Sequence, residues 1–119
     1  MKRLLKITLI SVMVLNAQNI FAKIIIDNAN YQSKIIKLNS TKNPKITRAW
    51  VETEFKEEKN RSTVLYEIDC EQEKFRRLGG VMYKEVTGDP IAMEPTKEEY
   101  IIPNTNLDTL KREVCTGKY

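Results

Sequence analysis

Cysteine occurs twice in this 119-residue chain, as Cys70 and Cys115, and histidine does not occur at all. A thiol at Cys70 could be a nucleophile, a metal ligand or one half of a disulfide. Without histidine there is no Ser-His or Cys-His base and no imidazole ligand, which excludes much of hydrolytic and zinc chemistry. Glu52, Glu54, Glu57 and Glu58 could be imagined as the acid and base of glycoside hydrolysis. Lys56 and Lys59 interleave with them, so a solvated strand end and loop is the better reading. Gly79-Gly80 and Gly88 match neither a P-loop nor a dinucleotide fingerprint. The expectation is a protein that is not an enzyme, with no catalytic residue, no cofactor and no metal.

The compartment decides what the cysteines do. Positions 1–22, MKRLLKITLISVMVLNAQNIFA, carry Lys2, Arg3 and Lys6 ahead of an apolar run from Ile7 to Leu15, the pattern of a secretory signal peptide. The run is shorter than the roughly 20 residues of a membrane span, and Asn16, Gln18 and Asn19 follow it. Cleavage is expected after Ala22, with Ala17 as the alternative. A lipid anchor at the mature N-terminus would need a cysteine there, so neither span nor anchor is expected. Three of the 20 basic residues and none of the 16 acidic ones fall in the leader, leaving 17 against 16. That balance removes the main argument for a nucleic-acid partner. Arg76 and Arg77 remain as a candidate contact patch, against the plainer reading of a solvated strand face.

The remaining residues, 23–119, make one small domain, a size at which an exported chain gains from a covalent staple. Two cysteines allow one intramolecular pairing, Cys70 with Cys115; buried free thiols are the alternative. The elements that would hold them follow from periodicity. Lys23–Asp27 and Lys34–Leu38 read as strands either side of a turn, and Ile46–Phe55 alternates as a third. Its Ala49, Val51, Thr53 and Phe55 share one face, while Arg48, Trp50, Glu52 and Glu54 share the other. Trp50 therefore either covers a neighbouring strand or layer, or anchors a partner from a partly exposed position. Thr63–Cys70 is the fourth strand, with Cys70 on the face of Val64, Tyr66 and Ile68. Phe75–Val86 is a fifth, interrupted at Gly79-Gly80 by a bend that curls the sheet. Ile91–Met93 is a sixth and shorter strand. Thr105-x-x-Asp108 resembles a capping box and opens a helix to Val114 or Cys115, with Leu107, Leu110 and Val114 as its apolar stripe. The fold class is α+β, a curved antiparallel sheet of about six strands with one C-terminal helix packed on it and tied by the disulfide.

Tyr66-Glu67-Ile68-Asp69-Cys70, a following arginine at Arg76 or Arg77, Tyr83, Gly88, Ile102-x-Asn104-Thr105 after an aromatic residue, and the closing Val114-Cys115 resemble the surface-adhesin protein E-like domain family. The resemblance spans Ser62 to Cys115, with a weaker match before Trp50. It implies an antiparallel sheet with a C-terminal helix held by a disulfide, the role that falls to Cys70 and Cys115. Tyr100 stands where the family commonly has Trp, and Pro103-Asn104 where Pro-Gly is frequent.

The function expected is an exported, non-enzymatic protein-binding module, adhesin-like, with Trp50, Arg76 and Arg77 as candidate contacts. The alternative is a periplasmic interaction or inhibitor protein. Either way the partner is a protein, the compartment is the periplasm or the cell exterior, and open sheet edges allow a homodimer by strand addition.

Overall fold

The computed structural model describes residues 22–85 and 88–116, so the expected leader, apart from Ala22, and the expected strand end at Val86 lie outside them. Six strands follow one another as a meander, each antiparallel to the last: β1 (Lys23–Asp27), β2 (Tyr31–Ser40), β3 (Ile46–Phe55), β4 (Asn60–Asp69), β5 (Lys74–Tyr83) and β6 (Pro90–Met93). A two-residue strand, β7 (Glu99–Tyr100), pairs with the start of β5, and the helix α1 (Asn106–Cys115) follows. The sheet is open, as an order of β1 through β6 without closure requires.

Short polar side chains make the turns. Asn28 Oδ1 accepts from the backbone N–H groups of Asn30 and Tyr31 at 2.8 and 2.9 Å, reversing the chain between β1 and β2. Asp69 Oδ1 does the same for Glu71 and Gln72 after β4. Because these turns are tight, β2 begins at Tyr31, three residues before the strand expected at Lys34.

Three register shifts bend the sheet, leaving Ile25, Ile36 and Leu78 as extra residues in β1, β2 and β5. The curl expected at Gly79-Gly80 therefore has its bulge one residue earlier, at Leu78. Gly80 has a separate role. A Cβ there would sit 2.6 Å from the Thr63 carbonyl oxygen and 2.9 Å from Val64 Cα, so the β4 backbone approaches too closely for any other residue.

One face of the sheet builds the core. Ile35, Ala49 and Ile68 are 0% exposed, and Val51, Val64 and Ile101 are buried beside them. The helix lies over β1 and β3 and adds Leu110 and Val114. Its first turn is capped by Thr105 Oγ1, which accepts from Asp108 N at 3.3 Å. The reciprocal bond differs from a standard capping box. Asp108 Oδ2 accepts at 2.9 Å from the N–H of Asn104, one residue before the cap, with Asn104 in the left-handed region at φ 65°. At the other end Cys115 is bonded to Cys70, with Cα atoms 5.7 Å apart. Lys111 pairs with Glu73, and Lys23 with Glu113 at 2.8 Å, tying the helix to both sides of the sheet.

Candidate binding surfaces

The face opposite the helix is built by cross-strand pairs, and it is where Trp50 stands. Lys37, Trp50 and Leu65 form one row across β2, β3 and β4, with Gly79 of β5 next in register. The neighbouring row is ionic: Glu67 accepts from Arg48 Nε at 3.1 Å and from Arg76 Nε at 2.8 Å. Burial raises the Glu67 carboxyl, but the Arg76 and Arg48 guanidiniums more than offset it, so the net shift is below the ordinary carboxylate value. On the other side of Trp50, Lys34 Nζ lies 3.3 Å from Glu52, and Thr63 and Val81 continue the row. The result is an apolar strip formed by a half-buried Trp50 and Leu65, with Lys37 at its β2 end, between the Arg48–Glu67–Arg76 row and the Lys34–Glu52 pair. No helix or strand among the described residues lies over it.

Trp50 and Arg76 thus share a face, and Arg77 does not. Arg77 is opposite Tyr66, which belongs to the core side, and its Nε donates to the Glu94 carbonyl at 2.8 Å. Its own backbone bonds to Thr96, through N–H to Oγ1 and through C=O to the Thr96 N–H, both at 2.9 Å. Burial pushes the Tyr66 phenol above its ordinary value, with the Arg77 guanidinium pulling the other way. The adjacent arginines do two jobs: Arg76 belongs to the open face, and Arg77 straps the segment between β6 and β7 along β5.

The core side carries a second surface that no local sequence pattern announces. Ser33, Thr53, Ser62 and Met82 are successive cross-strand partners on β2, β3, β4 and β5, with Ile91 of β6 at the end of the row. Three hydroxyls therefore lie side by side where an apolar row would be ordinary. Ser33 and Ser62 are 6% and 5% exposed, and Ser33 Oγ and Thr53 Oγ1 bond to each other at 2.8 Å. Above them the start of α1 and the sheet enclose a groove of about 280 Å³ walled by Tyr31, Phe55, Met82, Met93 and Leu107. A faint signal for it exists in the chain, since Ser33 and Ser62 each lie two residues before a core position, Ile35 and Val64. It becomes readable only once strand register is known. Elsewhere Tyr100 and Ile102 are 69% and 68% exposed on either side of the buried Ile101.

The described residues thus form an open antiparallel sheet with one helix, a disulfide tie, and an aromatic strip that no described helix or strand covers. Residues 19–116 match the family model described as Surface-adhesin protein E, and the chain belongs to that family. No curated protein and no solved structure matches it.

Proposed function

We propose that this protein is an exported, non-enzymatic protein-binding module that engages its partner through the sheet face opposite the helix. The observation that carries the reading is the Trp50–Leu65 strip, flanked by the Arg48–Glu67–Arg76 network and uncovered by any described element. Tryptophan in an apolar centre with a charged rim is the composition of an interface hot spot. Adhesion at the cell surface is the reading that family membership favours. Among the described residues no helix is long and apolar enough to cross a membrane, and the disulfide suits an oxidising compartment. Two copies pairing edge to edge is the form a homodimer would take.

The deciding experiment is protease digestion of intact cells compared with cells whose outer membrane is permeabilised, with the culture medium assayed in parallel. Digestion in intact cells, or recovery from the medium, supports adhesion and directs binding assays to host matrix proteins. Protection until permeabilisation rejects adhesion in favour of a periplasmic partner. In either arm Trp50→Ala should weaken binding about thirtyfold, the loss expected of a hot-spot residue at about 2 kcal/mol, while the fold is retained. Unchanged affinity in that variant would remove the open face from the proposal.

A further inference from the structure

The groove on the helix side differs from the Trp50 strip in every respect that governs what binds. It is concave, it lies on the opposite face of the sheet, and among the described residues no Lys, Arg, Asp or Glu lines it. Its ligand is therefore neutral, because a charge brought there would lose its hydration and find no counter-charge. Its volume of about 280 Å³ is roughly nine water volumes of ~30 Å³ each, the room of one substituted ring. The walls favour a ring over an alkyl chain. Tyr31 and Phe55 stand with centroids 6.2 Å apart at 47°, and Met82 and Met93 supply polarisable thioethers on the other side.

The floor supplies the polar element. Ser62 is 5% exposed, and its hydroxyl has no hydrogen-bond partner among the described residues. No buried side-chain oxygen or nitrogen among them is both unsatisfied and sealed, so the Ser62 Oγ opens into the groove it lines. Because that hydroxyl faces the groove, a ligand group able to both donate and accept can pair with it in place of solvent. Beside it, the mutually bonded Ser33 and Thr53 hydroxyls have used one donor between them and keep further capacity.

We propose that this groove is a binding site for a small neutral aromatic alcohol, a phenol-class molecule whose ring lies between the Tyr31–Phe55 wall and the two methionines and whose hydroxyl pairs with Ser62. Asn106 marks the mouth, its side-chain amide donating to the Tyr31 hydroxyl at 2.6 Å and holding that ring beside the first turn of the helix. The site is independent of the protein partner, since it uses the other face.

The test is a titration of the purified, oxidised protein with p-cresol and with toluene, followed by methyl shifts of Met82 and Met93 and the amide shift of Ser62. Both probes should saturate those signals, with p-cresol bound several-fold more tightly. Ser62→Ala should weaken p-cresol about fivefold, to the level of toluene, and leave toluene within twofold. Leu107→Trp, which fills the groove from the helix, should abolish both, and Trp50→Ala on the opposite face should change neither. Absence of saturable shifts, shifts that centre on Trp50, or a folded Ser62→Ala that keeps its preference for p-cresol would each overturn the proposal. Should Ser62→Ala not fold, the Leu107→Trp comparison decides alone: p-cresol binding that survives a filled groove places the site elsewhere.

Discussion

Asp108 shows how much one carboxylate can organise. It accepts from Asn104 N–H, meets Arg112 at 2.9 Å and Lys111 at 3.6 Å, and lies on a helix first turn where negative charge is favoured. The Asn104 N–H, more than either cation, holds its carboxyl below the ordinary value of 3.8, against the opposing effect of burial. A depressed folded-state value contributes stability that is complete above the unfolded value and disappears as pH falls through the folded one. The urea midpoint should therefore fall as the pH is lowered from about 5 towards 2. In Asp108→Asn it should start lower at neutral pH and fall less steeply, though not become flat, because Glu67 and Asp27 are shifted in the same direction. The paired glycines give a sharper contrast at this scale. Gly80→Ala forces a Cβ against the β4 backbone and should cost about 1–3 kcal/mol, as overpacking does, whereas Gly79→Ala meets nothing within 4 Å and should change stability by less than about 0.5 kcal/mol. Thermal denaturation of the two variants reads the difference directly.

The helix is held at its C-terminus by the disulfide and at its sides by partly exposed ion pairs, each contributing about 0–1 kcal/mol. The disulfide contributes more than these pairs do. Closing a separation of 45 residues stabilises by about 4 kcal/mol in the chain-entropy picture. Replacing both cysteines with serine should lower the unfolding free energy by about 2–4 kcal/mol in denaturant titrations, with amide exchange accelerating first in α1. An unaltered midpoint would mean that apolar packing of Leu110 and Val114 suffices. Strands β1 to β6 and the helix are legible from local patterns, because alternation in Ile46–Phe55 and the Thr105–Asp108 spacing are properties of adjacent residues; the tie follows from there being two cysteines, and the two-residue β7 falls where the sequence reads as loop. What is not legible depends on register. Arg76 and Arg77 look like a patch in the chain and are separated by the two-residue pleat. Ser33 looks like part of a turn, and becomes one of three aligned hydroxyls only because the extra residue at Ile36 sets which side chains of β2 face Thr53. Such pairings belong to two strands at once, so neither strand's sequence states them.

At the scale of the whole molecule, the described residues form a sheet with a helix over part of one face, and the β1 edge is unlike the opposite one, where β6 and β7 both pair with β5. β6 is four residues long, begins at Pro90 and is followed by Pro95, features that blunt an edge. β1 carries Ile24, 53% exposed. If two copies pair, the β1 edge is the better template, and self-pairing of one edge gives a closed two-fold dimer rather than a filament. Sedimentation across a wide concentration range should then show a dimer that Ile24→Lys weakens about tenfold without altering monomer stability. A dimer indifferent to that change would place the contact elsewhere. The meander also has a meaning in time. Every long strand finds its partner in the strand just made, so pairing proceeds in chain order with short loops to close, the arrangement associated with fast folding. β7 returns to the start of β5 and the helix reaches back as far as β1, and Cys115 is the second of the two bonded cysteines to leave any machine that delivers the chain N-terminus first. Oxidation then acts as a latch, closing on a sheet already assembled rather than guiding its assembly.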